Sequence, residues 1–251
     1  MKDNRTLSYI NLFAILGAIP KLCQECDEAR RLIENDEISI GFSVKNGPRA
    51  TLIFDKGECK MVEGIEKCNI KLSFSKPEKF NGMIDGTVTP IPSKGFTKIG
   101  FLLKKFIPLT DLLSKYLRAS EDDLKDEKFF KTSTLVMFYV ITEAMSQIGN
   151  QDKVGMFSAS NIVDGIARIT IKGEESAYIV CDDHKLKTVH LHIDDYTSYM
   201  EFADINLARA LFDGKVNAVS AVGLGNVRIG GMVSMVDNLN RILDRVSYYL
   251  A

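Results

Sequence analysis

The sequence is poor in several of the residues on which enzyme chemistry and compartment signatures depend. Histidine occurs three times in 251 residues, at His184, His190 and His192. Any histidine-based mechanism is therefore confined to one short segment. Cysteine occurs five times. An odd number with irregular spacing argues against a secreted disulfide framework and fits a reducing cytoplasm. An excess of one charge is missing too. The 32 Lys and Arg against 33 Asp and Glu leave a net charge of −1, so no broad positive field draws nucleic acid or anionic lipid. Uninterrupted apolar runs stop short of the roughly 20 residues of a membrane span. The start, MKDNR followed by LSYINLFAILGAIP, imitates a secretory leader. A matching stretch, TLVMFYVITEAMSQI, lies in mid-chain, so both read as the opening helix of a domain.

What is present is a repeat. MEFADINLARALFDG at 200–214 has been used once already as LSFSKPEKFNGMIDG at 72–86. Phe74 pairs with Phe202, Asp85 with Asp213 and Gly86 with Gly214, all 128 positions apart. Each copy reads as a strand end, a short helix and a glycine stop. Asp204 can cap the second helix, Pro77 sits in the first turn of the first, and Gly214 can take the left-handed closing conformation. Further matches are Lys98-Ile99-Gly100 with Arg228-Ile229-Gly230, NLFAILGAIPKL at 11 with MFYVITEAMSQI at 137, and Gly57 with Gly173. Gly57 and Gly173 are only 116 apart, which implies extra residues near 23–35 in the first half and between 175 and 198 in the second. Such self-similarity means one fold used twice. The domains are 1–118 and 132–251, joined by the charged linker 119–131.

Periodicity gives the elements. Two helices are expected at 6–19 and 22–35, then strands at 38–44 and on either side of Asp55, and another arriving at Phe74. A last strand is expected near 96–102, with a closing helix that can start at Pro108. The second half is expected to repeat the order: helix 132–149, strands near 154–160, 165–172, 175–182, 186–193, 198–203 and 225–231, and a closing helix capped by Asp237. Helices and short-turn strands in this order are α+β, with the strands antiparallel.

The block of strand, short helix ending in Asp-Gly, variable loop, K-I-G or R-I-G-G, and closing apolar helix resembles the sterol carrier protein type two, or sterol-binding domain, family. The likeness covers both halves, strongest over 200–243. It implies two domains, each an antiparallel sheet covered on one side by helices, with an apolar tunnel between sheet and closing helix. It departs from the family in its tandem arrangement and in carrying Thr87 where the second copy keeps Gly214-Lys215.

On that resemblance the candidate ligand-binding residues are Phe96, Phe101, Leu102, Phe106, Leu109 and Leu113 in the first half. In the second they are Val227, Met232, Val233, Val236, Leu239 and Leu243. Large adaptable apolar side chains suit an acyl chain; without the resemblance they read as core. The expected partner is a lipid, fatty acid or acyl thioester-like molecule, with no cofactor, no resident metal, no catalytic residues, no nucleic acid and no stable membrane insertion; a homodimer is left open. The alternatives are a packed structural or dimerisation module, and an enzyme accessory or metal-dependent enzyme. Three constellations have plainer readings. Cys23 and Cys26 are buried thiols in a helix, where a zinc knuckle is not expected. His190, His192 and Asp194 alternate along a strand and lie on its solvent face. The glycine run GLGNVRIGG has no helix placed to cradle a phosphate.

Overall fold

The structure, a computed structural model, describes residues 2–65 and 67–250. It divides into two compact units, Met1–Val136 and Met137–Ala251. Each unit is an α+β domain around one five-stranded sheet, and the two sheets share a plan. The first is ordered β3-β2-β1-β4-β5 and the second β8-β7-β6-β9-β10. In the first unit the strands are β1 (Glu37–Val44), β2 (Arg49–Asp55), β3 (Glu58–Glu63), β4 (Ile70–Phe74) and β5 (Pro92–Lys94). In the second they are β6 (Gly165–Ile171), β7 (Ser176–Asp182), β8 (Lys185–Val189), β9 (Ser198–Phe202) and β10 (Val227–Gly231).

The sheets are mixed, which corrects the antiparallel expectation. β1 runs parallel to β4, from Ile40 beside Ile70 to Val44 beside Phe74, and β6 runs parallel to β9 in the same way. Short turns force antiparallel pairing only between strands that are neighbours in both sequence and space. Here β3 stops where Glu63 faces Ala50, level with Phe42, and β4 enters level with Ile40. The chain therefore has to cross only three strand spacings of about 4.8 Å, within the reach of the six residues between. This crossover lies over Gly41, where a Cβ would come 2.8 Å from Cys68 Sγ. In the second unit the corresponding crossover covers Arg168, whose guanidinium sits 4.5 Å from the centre of the Tyr196 ring.

The repeat is more regular than sequence matching implies. Val44 corresponds to Ile171 and Asp55 to Asp182, a constant offset of 127, and Phe74 corresponds to Phe202 at 128. The expected compensating insertions are absent. Gly57 is not the counterpart of Gly173: it closes the β2–β3 hairpin with Lys56, and its equivalents are Asp183 and His184, both also at positive φ. The last strand also moves. Lys98-Ile99-Gly100 is helical, and the strand equivalent to β10 is Pro92–Lys94, ahead of the expected 96–102. Residues 154–160 form the helix Lys153–Ala159 rather than a strand. Asp152 caps that helix with bonds from the amides of Val154 and Gly155.

The first unit opens with a continuous helical stretch, Asn4–Glu25, that includes a π turn at Ile10–Ile15. With a mean hydropathy of 1.4 it is long and apolar enough to cross a membrane, which corrects the estimate from uninterrupted runs; 72% of that window is buried inside the structure. A second π turn, Leu102–Phe106, leads into the closing helix Ile107–Leu117. Each π turn precedes a proline, Pro20 or Pro108. Its missing N–H leaves a carbonyl of the preceding turn without the usual donor, so the helix can change pitch there. The long helix Glu127–Gln151 begins inside the 119–131 stretch, and the division between units falls within it.

Buried polar contacts lock the short helix Pro77–Ile84 to the opening helix. Asn11 donates to Asn81 Oδ1 at 3.1 Å, and Asn81 donates to the Asn4 carbonyl at 3.0 Å. Asn81→Ala is expected to destabilise the first unit by about 1–2 kcal/mol, because it strands the buried Asn11 amide. Urea unfolding of the single variant and of Asn11→Ala/Asn81→Ala measures this; the double variant should cost less than the sum of the two single changes.

Candidate functional site

The candidate site is the layer between the sheet and the closing helix, and each unit builds it from the same starting point. A glycine at positive φ, Gly95 (φ +87) or Gly231 (φ +88), turns the chain out of the edge strand and into helix. Both glycines press against the backbone of the neighbouring strand, since a Cβ would overlap the carbonyl oxygen of Asn69 or Thr197. Only glycine fits, for reasons of both conformation and space.

In the first unit Phe101, Leu102, Phe106, Leu109 and Leu113 are all buried. Phe101 packs on Phe54 of β2 with ring centres 5.3 Å apart, and Phe106 on Phe42 of β1 at 6.0 Å. Phe42 in turn meets Phe80 edge-on at 6.4 Å, and Phe80 meets Phe74 at 5.2 Å. The repeated Phe74 is thus one end of a continuous aromatic seam running from the short helix to the closing helix. Phe96, by contrast, is 59% exposed and does not join it.

In the second unit the closing helix is Val233–Leu250, and it buries Met235, Leu239, Ile242, Val246 and Tyr249. Val227 is buried at the head of β10, while Met232, Val236 and Leu243 are half-buried. Val233 is 80% exposed. Asp237 does not cap this helix: it lies within it and pairs with Arg241 one turn on at 3.1 Å. Ile242, rather than the neighbouring Leu243, faces the interior, where it lies with Leu186 over Gly149 of the long helix.

A polar clamp that sequence reasoning missed holds the far end of this helix. Asp152, 5% exposed, accepts from Arg245 Nε and Nη2 at 3.2 and 3.0 Å and from Tyr249 Oη at 2.8 Å, besides capping the helix Lys153–Ala159. Burial alone would raise the Asp152 pKa, but the bonds from Arg245, the Gly155 amide and Tyr249 outweigh it and hold the carboxyl below its ordinary value. The one available signal was an Asp placed just ahead of a helical stretch, a helix-capping pattern.

The remaining constellations do not converge. β8 ends at Val189, so His190 and His192 lie on the crossover rather than on a strand face. His190 stacks on Tyr139 at 4.3 Å and bonds to Glu143, while His192 meets the Tyr178 hydroxyl at 3.1 Å and Asp194 at 2.9 Å. Among the described residues no group of three or more His, Cys, Asp or Glu is placed to hold a metal ion. Cys23 and Cys26 are buried and unpaired by disulfide. Hydrogen bonding to the Cys23 thiol, together with burial, pushes the Cys59 thiol far above its ordinary pKa, and Cys26 accepts from Tyr116 at 3.6 Å. Two surface depressions, of about 310 and 460 Å³, are lined largely by polar and acidic residues.

No protein-family model and no curated protein matches the sequence. Solved structures do. The chain is similar to sterol carrier domains. The sterol carrier protein domain 2 of Helicoverpa armigera matches at 14% identity and a TM-score of 0.37, over 45% of this chain and 89% of its own. Sterol carrier protein 2 from Yarrowia lipolytica, in its apo form, matches at 19% and 0.35, over 45% and 91%. A ubiquinone synthesis protein, UbiJ-SCP2, matches at 14% and 0.33, over 43% and 93%. Each aligns nearly all of its own length with less than half of this chain.

Proposed function

We propose that each unit binds an apolar or amphipathic small molecule, such as a fatty acid, acyl thioester or other lipid, without transforming it. The observation that supports this reading is the layer built twice, with apolar side chains on the sheet and on the closing helix. The ligand would enter between them. A sixteen-carbon chain offers on the order of 10 kcal/mol of transfer free energy at about 0.8 kcal/mol per methylene, before ordering costs are subtracted. That is enough to offset parting the helix from the sheet over a turn or two. In the first unit the π turn Leu102–Phe106 is the natural place for this, since its hydrogen bonding is already irregular. The free thiols support a reducing compartment such as the cytoplasm.

One observation favours a second reading. Phe101 and Phe106 already occupy the layer in the first unit, as they would in a packed interaction module that carries no ligand. Titrating delipidated protein with a fluorescent fatty acid separates the two. The carrier reading expects saturable binding at micromolar concentration, displaced by unlabelled fatty acid. A signal that never saturates, or none, leaves the packed module.

A further inference from the structure

We infer that the segment between the short helix and the closing helix is a docking surface for a lipid bilayer bearing anionic headgroups. In the first unit, residues 86–110 contain Lys94, Lys98, Lys104 and Lys105 and no aspartate or glutamate. Acidic residues resume at Asp111. The chain as a whole is nearly neutral, so this is a local concentration of positive charge. Lys98 and Lys104 are exposed, and neither has a salt-bridge partner among the described residues. Lys105 reaches Asp36 only at 3.9 Å, and Lys94 donates to the Cys68 carbonyl.

The same segment exposes its large apolar side chains. Ile99, Leu103 and Ile107 are 44, 58 and 45% exposed, and they follow one another every fourth residue through the π turn. That spacing keeps them on one side of the helix, away from the buried Phe101, Phe106 and Leu109. Phe96 and Ile91, 59 and 76% exposed, continue the patch toward the edge strand. A contiguous apolar stripe flanked by uncompensated lysines is the pattern of a helix lying in a headgroup layer, with apolar groups in the acyl boundary and ammonium groups among phosphates. Charge complementarity decides for an anionic lipid surface over a second copy of this chain, whose corresponding stripe would bring the same lysines.

The second unit repeats the apolar part of the pattern at the same place, although its Lys215 pairs with Asp213 at 3.8 Å. Residues 214–236 contain Lys215 and Arg228 and again no acid, and Val219, Leu224, Ile229 and Val233 are 80, 77, 45 and 80% exposed. Phe96 and Val233, which the sequence placed among tunnel residues, belong to these outward patches. The inference does not rest on ligand carriage, because a fully packed domain could dock in this way.

Flotation of the purified full chain with vesicles of phosphatidylcholine, with and without phosphatidylglycerol, tests it. The chain should float with the anionic vesicles, poorly with neutral ones, and less as salt is raised. Lys98→Gln and Lys104→Gln should each lower partitioning about fivefold. Leu103→Asp should lower it by at least about tenfold. All three sites are exposed, so circular dichroism and the melting midpoint should be unchanged. The proposal is overturned if the chain ignores anionic vesicles, if it binds neutral and anionic vesicles alike, or if folded variants bind as the wild type does. It is also overturned by a concentration-dependent dimer that Leu103→Asp dissolves without any vesicle binding; that result would assign the stripe to a second copy. Flotation reads attachment of the chain to the vesicle rather than uptake of a monomeric fatty acid, so docking and ligand carriage succeed or fail separately.

Discussion

Asp152→Ala is expected to destabilise the second unit by about 3–5 kcal/mol, the range for removing one partner of a buried, hydrogen-bonded ion pair. The side chain accepts five hydrogen bonds, two from backbone amides of the helix it caps and three from Arg245 and Tyr249 on the closing helix. Its loss leaves a partly buried guanidinium and a buried phenol without their acceptor and removes a helix cap worth about 1 kcal/mol. Asp152→Asn, which can still cap, should cost less. The pH dependence has a definite sign. The folded carboxyl titrates below its unfolded value of about 4. Its contribution is therefore complete above that value and is lost as pH falls through the depressed folded pKa. Urea unfolding at neutral pH and again in acid should show a wild-type advantage that shrinks below about pH 4. An Asp152→Ala protein as stable as the wild type at neutral pH would show that the clamp does not hold the closing helix.

Gly231→Ala and Gly95→Ala should each cost about 3 kcal/mol. Positive φ alone costs an alanine roughly 1–2 kcal/mol, and overlap of the new Cβ with a strand carbonyl adds strain that only backbone movement relieves. Gly214→Ala supplies the control. Gly214 has a similar φ of +69, but nothing lies within 4 Å of a Cβ there, so about 1 kcal/mol is expected. Equal losses at Gly231 and Gly214 would mean that the close approach to Thr197 contributes nothing. Because these glycines set where each closing helix begins, the two costly variants should also expose the apolar layer, read as increased binding of a hydrophobic dye.

The parts of the fold that rest on local chemistry were legible in the sequence. Asp204 caps its helix through the Leu207 amide, Pro77 sits in a first turn, and Gly86 and Gly214 stand at positive φ. Phe74 and Phe202 occupy matching ends of β4 and β9. The errors arose where different residues do the same job. The β7–β8 hairpin turns on Asp183 and His184 rather than on a glycine, since Asp and His tolerate the left-handed region better than most side chains. Its counterpart therefore carried no visible match, and Gly57 was paired with the wrong turn. Lys98-Ile99-Gly100 resembles Arg228-Ile229-Gly230 in letters, yet Gly95 and Gly231 are what the two edges share. The parallel pairing of β1 with β4 depends on where two strands stop and start, which period-two alternation does not record.

At the candidate site, the resemblance singled out Phe101, Phe106, Leu109, Leu113 and Leu239, which are buried. It did not separate them from Phe96 and Val233, which are equally apolar and face outward. Each lies within two residues of the glycine that turns the chain out of the edge strand, Gly95 or Gly231, so neither a strand nor a helix period fixes which way it points. The Asp152 clamp was hidden by distance in sequence, since Asp152 and Arg245 stand 93 positions apart.

Native mass spectrometry of the gently purified chain, followed by organic extraction of whatever it releases, tests the central claim most directly. The account predicts one or two apolar molecules per chain, recovered as lipid, with the number giving the competent units. A clean apo mass, together with delipidated protein that takes up no fatty acid or acyl thioester at micromolar concentration, would contradict it.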